Sequence, residues 1–284
     1  MSSFDDLFDD DDDEIPSYEE IWEQLKPRVQ HLAKPAVRLI KTETPCGSWL
    51  GGRPKAGSTG LEWPIYKDKP MAFLAQLDLA EIAAAHRFDW LPATGSLLFF
   101  YEMEEMTWGF DPKDKGSCRV IYVENPETVI DFPADLSEDH RFTQAFIEAR
   151  AGSTLPHYDS ELLEPLELDD DEEEAYAECK NQDWGDDPTH QVGGFPNVVQ
   201  NDCMELESQL ASNGIYLGDG DGYESPEGQP LKAGAKDWRL LFQMDSDDDL
   251  EVMWGDLGLI YFWVREQDAK AKNFDNTWLI LQCS

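Results

Sequence analysis

Basic residues are scarce in this chain: 22 Lys and Arg face 60 Asp and Glu, a formal charge of −38 over 284 residues. So acidic a surface is repelled by phosphate backbones and anionic lipid, which excludes ordinary nucleic-acid and peripheral-membrane binding. Long apolar runs are missing too. The longest, Leu257 to Val264, has eight residues, far short of the roughly 20 that cross a bilayer as a helix. Cys46, Cys118, Cys179, Cys203 and Cys283 contain no Cys-x-x-Cys pair, and their odd number argues against a disulfide framework. The first residues, Met1-Ser-Ser-Phe-Asp-Asp-Leu-Phe8, lack the basic and apolar regions of a secretory signal. A reducing cytoplasm is the expected compartment.

Motifs that carry chemistry are equally thin. Zinc needs clustered Cys or His, and His31, His86, His140, His157 and His190 stand apart. No Gly-x-Ser-x-Gly elbow marks a nucleophile. The glycine pairs at 51–52 and 193–194 lead into no Lys-bearing helix start, so neither reads as a phosphate cradle. Catalysis is not expected.

Apolar material is plentiful: 41% of residues are hydrophobic and 12% aromatic, enough to bury a sizeable core. The acids are unevenly spread. Residues 1–20 hold ten and residues 159–178 hold eleven, with no Lys or Arg in either segment. Without these two segments the charge is −17. Residues 1–16 are expected to be a disordered tail, since a run of like charge cannot offset chain entropy by burial. Both segments read as solvating linkers or as lures for a basic protein.

From residue 17 onward one domain is expected. Residues 17–40 read as one helix, or two broken near Pro27 and Pro35, with Ser17 and Glu20 forming a capping box. Strands are expected at Met71–Leu77, Ser96–Glu102, Cys118–Val123, Trp238–Met244, Leu259–Val264 and Thr277–Gln282, where β-branched and aromatic residues lie between turn formers. Helices are expected at Leu79–Ala85, Phe142–Arg150 and Asp202–Ser212.

The two halves resemble each other. Gly51-Gly-Arg-Pro54 matches Gly193-Gly-Phe-Pro196, and Ala72-Phe-Leu-Ala-Gln-Leu-Asp78 matches Arg239-Leu-Leu-Phe-Gln-Met-Asp245. A Gly-led strand and a closing strand follow in both. The expected fold is therefore α+β and mostly antiparallel, with two pseudo-symmetric halves, about 44–150 and 190–284, sharing one core. An N-terminal helical segment precedes them, and residues 151–189 form an acidic connector or surface insertion.

Two sets of candidate site residues emerge. Gln76 and Gln243 interrupt apolar strands and, if buried, need hydrogen-bond partners. They are either structural amides or, with Asp78 and Asp245, a ligand site between the halves. Asp245, Asp247, Asp249 and Asp256 fall at positions 1, 3, 5 and 12 of an EF-hand-like calcium loop. That loop has Leu250 where the turn wants Gly, and Asp where the last ligand is usually Glu.

Taken together, Ser48-Trp-Leu-Gly-Gly-Arg-Pro54, Trp63-Pro64, Met71 to Asp78, Trp108-Gly-Phe-Asp-Pro112, Leu241 to Asp247 and Trp254-Gly-Asp-Leu-Gly-Leu-Ile-Tyr-Phe262 make the chain resemble the YwqG-like family of bacterial domains of unknown function. The resemblance covers roughly residues 44–284. It implies an α+β domain with two related halves and no established catalytic residues. It also implies an immunity-type role, in which the protein binds and neutralises a cognate toxin or other basic protein. The alternative is a ligand- or calcium-binding regulatory module.

Overall fold

The computed structural model describes residues 16–185 and 188–284. Most of the expected acidic tail lies outside the described residues. In chain order the helices are α1 (Tyr18–Val29), α2 (Leu79–Ala85), α3 (Asp170–Cys179), α4 (Met204–Ser212) and α5 (Glu266–Lys270). The strands begin with β1 (Lys34–Thr42), β2 (Trp49–Leu50), β3 (Lys55–Ala56), β4 (Ile65–Tyr66), β5 (Lys69–Pro70), β6 (Ala72–Asp78) and β7 (Ser96–Tyr101). They continue with β8 (Cys118–Val123), β9 (Thr128–Val129), β10 (Ala145–Thr154), β11 (Gln191–Gly193), β12 (Trp238–Asp245), β13 (Leu259–Arg265) and β14 (Trp278–Gln282).

Ten strands form one antiparallel sheet in the order β14-β13-β12-β11-β1-β10-β2-β6-β7-β8. The long central pair β1 and β10 runs in register from Lys34 opposite Thr154 to Thr42 opposite Phe146. Outward from that pair, one wing runs β2-β6-β7-β8 and the other β11-β12-β13-β14, each in chain order. Both β6 and β12 carry a bulge two residues before their glutamine, between Phe73 and Ala75 in one and between Leu240 and Phe242 in the other. The leading strands are exchanged: β1 precedes the first wing in sequence but pairs with β11 of the second, and β10 pairs with β2 of the first.

The exchange explains two departures from expectation. Residues 34–42 and 145–154 are strands, although helix was expected over most of both. Pro35 cannot continue a helix, and the segment beyond it, Ala36-Val-Arg-Leu-Ile40, buries Ala36, Val37 and Leu39 in the sheet. Phe142–Arg150 has a pattern compatible with either period, and the ten-residue strand gains a partner on each side. By contrast, α1 runs through Pro27 to Val29 and starts on the expected box: Ser17 Oγ accepts from Glu20 N, and Ser17 N donates to the Glu20 carboxylate.

The acidic connector is also more than a linker. Asp169 caps α3, and the acids of the first turn suit the positive end of that helix. Its opposite face buries Ala175, Tyr176 and Cys179, and Tyr176 and Cys179 pack with Trp22, Leu25 and Val29 of α1 in a small apolar cluster. The Trp22 and Tyr176 rings meet edge to face at 5.9 Å.

The main core lies on the inner face of the curved sheet and draws on both wings: Phe99 meets Phe242 at 4.8 Å and Phe262 at 5.1 Å. The segment before β8 reaches across to the last strand. There Leu281 N donates to Trp108 O, and Trp278 Nε1 donates to Gly109 O at 2.8 Å. Gly109 has φ +84°, and any Cβ would lie 1.9 Å from Leu279 O, so only glycine allows this approach.

Candidate functional site

The glutamines do the same work in each wing. Gln76 Oε1 accepts from Lys55 N at 2.8 Å, and Gln243 Oε1 accepts from Asn197 N at 2.8 Å. Lys55 and Asn197 each directly follow their Gly-Gly-x-Pro turn, whose glycines at 51, 52, 193 and 194 all have φ between +60° and +73°. Gln243 Nε2 also donates to Thr189 O. Each amide is buried and clamps its own turn to its own strand. Asp78 caps α2 by accepting from Ala80 N and Glu81 N, whereas Asp245 accepts from Thr189 N and Oγ1. The four residues are thus bonded separately within the two wings, not to one another.

The loop from Asp245 to Asp256 places its acids apart. Asp247 turns inward, with a side chain only 1% exposed, and pairs with Lys41 Nζ at 2.7 Å and His190 Nε2 at 3.3 Å. Asp249 takes a second contact from Lys41 at 2.5 Å, while Asp256 is exposed. The positive charge between Asp247 and Asp249 is therefore the Lys41 ammonium. Burial alone would raise the Asp247 carboxyl, but His190 and Lys41 outweigh it and hold it down at about 2. Among the described residues, no three His, Cys, Asp or Glu side chains gather as a metal site.

His190 Nδ1 accepts from Asp245 N at 3.1 Å, which leaves Nε2 as the protonated nitrogen facing Asp247. Both ring nitrogens are engaged, so this histidine has no free nitrogen with which to activate a nucleophile. Two of the thiols are quiet: burial pushes Cys118 up to about 12, and burial with the neighbouring Glu207 raises Cys203 as well. Thiolate chemistry near neutral pH is therefore not available to either.

What the structure does assemble is a cavity of about 560 Å³ lined by the start of β1, the end of β11 and the neighbouring parts of β12 and β13. Phe88 and Trp90, from the segment after α2, and Trp238 and Trp263, from β12 and β13, are its aromatic walls. Gly193, at φ +69°, makes room for the first of these: a Cβ there would lie 2.5 Å from Phe88 Cζ. Lys34, Lys236 and Arg239 line the same cavity, with Glu205 as its one acid. The Lys34 ammonium lies 3.8 Å from the centre of the Phe195 ring, and Arg239 pairs with Glu266 at 2.5 Å. Burial raises the Glu205 carboxyl above its ordinary value, against the opposing pull of Lys34 and Arg239.

Sequence reasoning missed these residues, along with Lys41 and His190. The strands carrying Trp238 and Trp263 were legible, but nothing local joins them to Phe88 or Lys34. An excess of tryptophan, ten in the chain, was the one available signal.

Fold and site together define an α+β protein with an antiparallel sheet of exchanged wings and a preformed aromatic cavity. The chain belongs to the DUF1963 family, a domain of unknown function, whose model matches residues 48–283. The match begins after β1, although that strand sits at the centre of the sheet. A comparison with curated proteins finds no match. Among the described residues, no helix is long and apolar enough to cross a membrane.

Proposed function

We propose that this chain is a non-enzymatic, cytoplasmic, immunity-type protein that binds and neutralises a cognate basic toxin. The observation that carries the reading is the mounting of its acids on folded structure. Glu19, Glu20 and Glu23 on α1, and Asp170, Asp171, Glu173 and Glu174 on α3, are exposed around a helix pair held by Trp22, Leu25 and Tyr176. Charges fixed in this way present a steady field, which raises encounter rates with a basic partner by ~10 to 10³ at low salt. The resemblance to YwqG-like proteins supports the same reading.

The test is co-purification of host proteins with the chain, followed by co-expression. One stoichiometric basic partner is expected, tolerated by cells only when this chain is present and binding more slowly as salt rises. A partner that cells tolerate equally well without the chain would sink the reading.

A second reading, a ligand-binding regulatory module, is favoured by the aromatic cavity. Its calcium form has less support, because Lys41 already supplies the charge between Asp247 and Asp249.

A further inference from the structure

We propose that the cavity walled by Phe88, Trp90, Trp238 and Trp263 binds a small organic anion with an aromatic body, the anionic head facing Lys34 and Lys236. This rests on the ligand-binding reading and is independent of the toxin reading.

Volume and lining come first. About 560 Å³ falls within the range of small-molecule sites, which are mostly apolar with a few polar groups that fix orientation. The walls here are four aromatic rings, and ring faces favour flat, polarisable ligands over aliphatic ones.

Charge decides the sign of the ligand. The chain carries −38 overall, so an organic cation would find favourable sites over much of the surface. This cavity reverses that sign, with Lys34, Lys236 and Arg239 against Glu205; burial pushes the Glu205 carboxyl up and the Lys34 ammonium down alike, so the sign rests on the number of basic groups. Arg239 is occupied by Glu266, whereas Lys34 and Lys236 make no ion pair among the described residues. Two lysines beside aromatic rings are thus left to receive an anion.

The matched position in the first wing shows what a completed face looks like. Phe100 pairs with Phe73 as Trp263 pairs with Leu240, at equivalent places beside the two bulges. Over Phe100 lies Trp63, at 5.3 Å, with its Nε1 donating to Met71 O at 2.9 Å and Phe132 packed 6.0 Å from its ring. Trp263 instead sits in a cluster with Met204 and Leu210 of α4, with no aromatic ring packed on it among the described residues. It lines the cavity, is 1% exposed, and its Nε1–H has no acceptor. An unpartnered buried donor costs about 1–3 kcal/mol, and a ligand in this cavity is the counterpart of the indole that covers the first wing.

A second hollow offers no rival. About 760 Å³ lies near Trp63 and β8, but Arg119 there pairs with Asp275 at 3.2 Å and Lys272 donates to Tyr122 OH at 2.9 Å.

The test uses the whole chain and two probes with the same rings: 8-anilinonaphthalene-1-sulfonate, an anion, and N-phenyl-1-naphthylamine, which is neutral. Fluorescence titration should give one saturable sulfonate site. Lys34→Gln with Lys236→Gln should weaken it roughly tenfold, the worth of two partly shielded charges, while leaving the neutral probe unchanged. Ala235→Trp, which fills the cavity, should abolish binding of both, and Lys272→Gln at the other hollow should change neither. Circular dichroism melts establish that each variant is folded. Displacement of the sulfonate by 1-naphthoate or 1-naphthyl phosphate supports the proposal and separates a carboxylate head from a phosphate head. Equal displacement by 1-naphthylmethylamine overturns it, as does sulfonate affinity unmoved in the double lysine variant. The toxin reading is scored by cell survival and does not move with this titration.

Discussion

The two wings of the sheet share strand order, bulge position and the glutamine that clamps a Gly-Gly-x-Pro turn, yet their outer faces differ completely. In the first wing Trp63 and Phe132 close over Phe100. In the second, α4 and the 3-10 stretch Gln229–Asp237 cover only part of the sheet, and the cavity remains beside Trp263. The inner faces cannot diverge in this way. Phe99, Phe242 and Phe262 meet each other in one core, so a change in either wing is felt by both. The outer faces have no common partner, which leaves one free to be plugged and the other to be hollow.

Core truncation should break the comparison most visibly. Phe99→Ala and Phe262→Ala, from opposite wings, should each cost about 3–5 kcal/mol in denaturant unfolding. Each should leave one cooperative transition, since the wings share a core and exchange their leading strands; two separated transitions would show that the wings fold apart.

The clamps come next. Gln76→Leu and Gln243→Leu should each cost about 1–3 kcal/mol, because each strands a buried backbone N–H. The second should cost more, as Gln243 also donates to Thr189. Equal losses would show that Thr189 adds nothing.

A pH difference of similar or smaller size should belong to the second wing alone. Asp247 is held down at about 2, below its unfolded value, so its contribution is complete above roughly pH 4 and is lost as pH falls toward 2. The shift is worth about 2 kcal/mol. Acid titration of stability should therefore be shallower by about that amount in Asp247→Asn. The matched position in the first wing, Ala80, has no carboxyl to titrate.

The smallest effect belongs outside the sheet. Asp170→Ser with Asp171→Ser removes exposed charge from the first turn of α3 and should cost no more than about 1 kcal/mol, while slowing association with a basic partner. A large loss of stability would mean that these acids serve the helix start more than the surface.

The sequence carried much of the fold but little of the cavity. Six sheet strands and the helices at α2 and α4 were legible within a residue or two, because β-branched and aromatic runs between turn formers have few alternatives. Residues 34–42 and 145–154 were misread, since their periodicity suits helix as well as strand and they pair with each other across more than a hundred residues. The acids at 169–174 read as a solvating linker or a lure for a basic protein, and not as a helix, because the apolar face of α3 is only Ala175, Tyr176 and Cys179. Gln76 and Gln243 were recognisable as unusual, but their backbone partners were not.

Local chemistry determined the strands ending in Gln-x-Asp, the glycine turns and the capped start of α1, because each depends on neighbours within a few residues. Tertiary structure decided the exchange of β1 and β10, the placing of Lys41 against Asp247 across 206 residues, and the meeting of Lys34, Phe88, Trp238 and Trp263 around one cavity. Those contacts form only when loop-closure entropy has been offset by a shared core, and no window of sequence contains both sides of that balance.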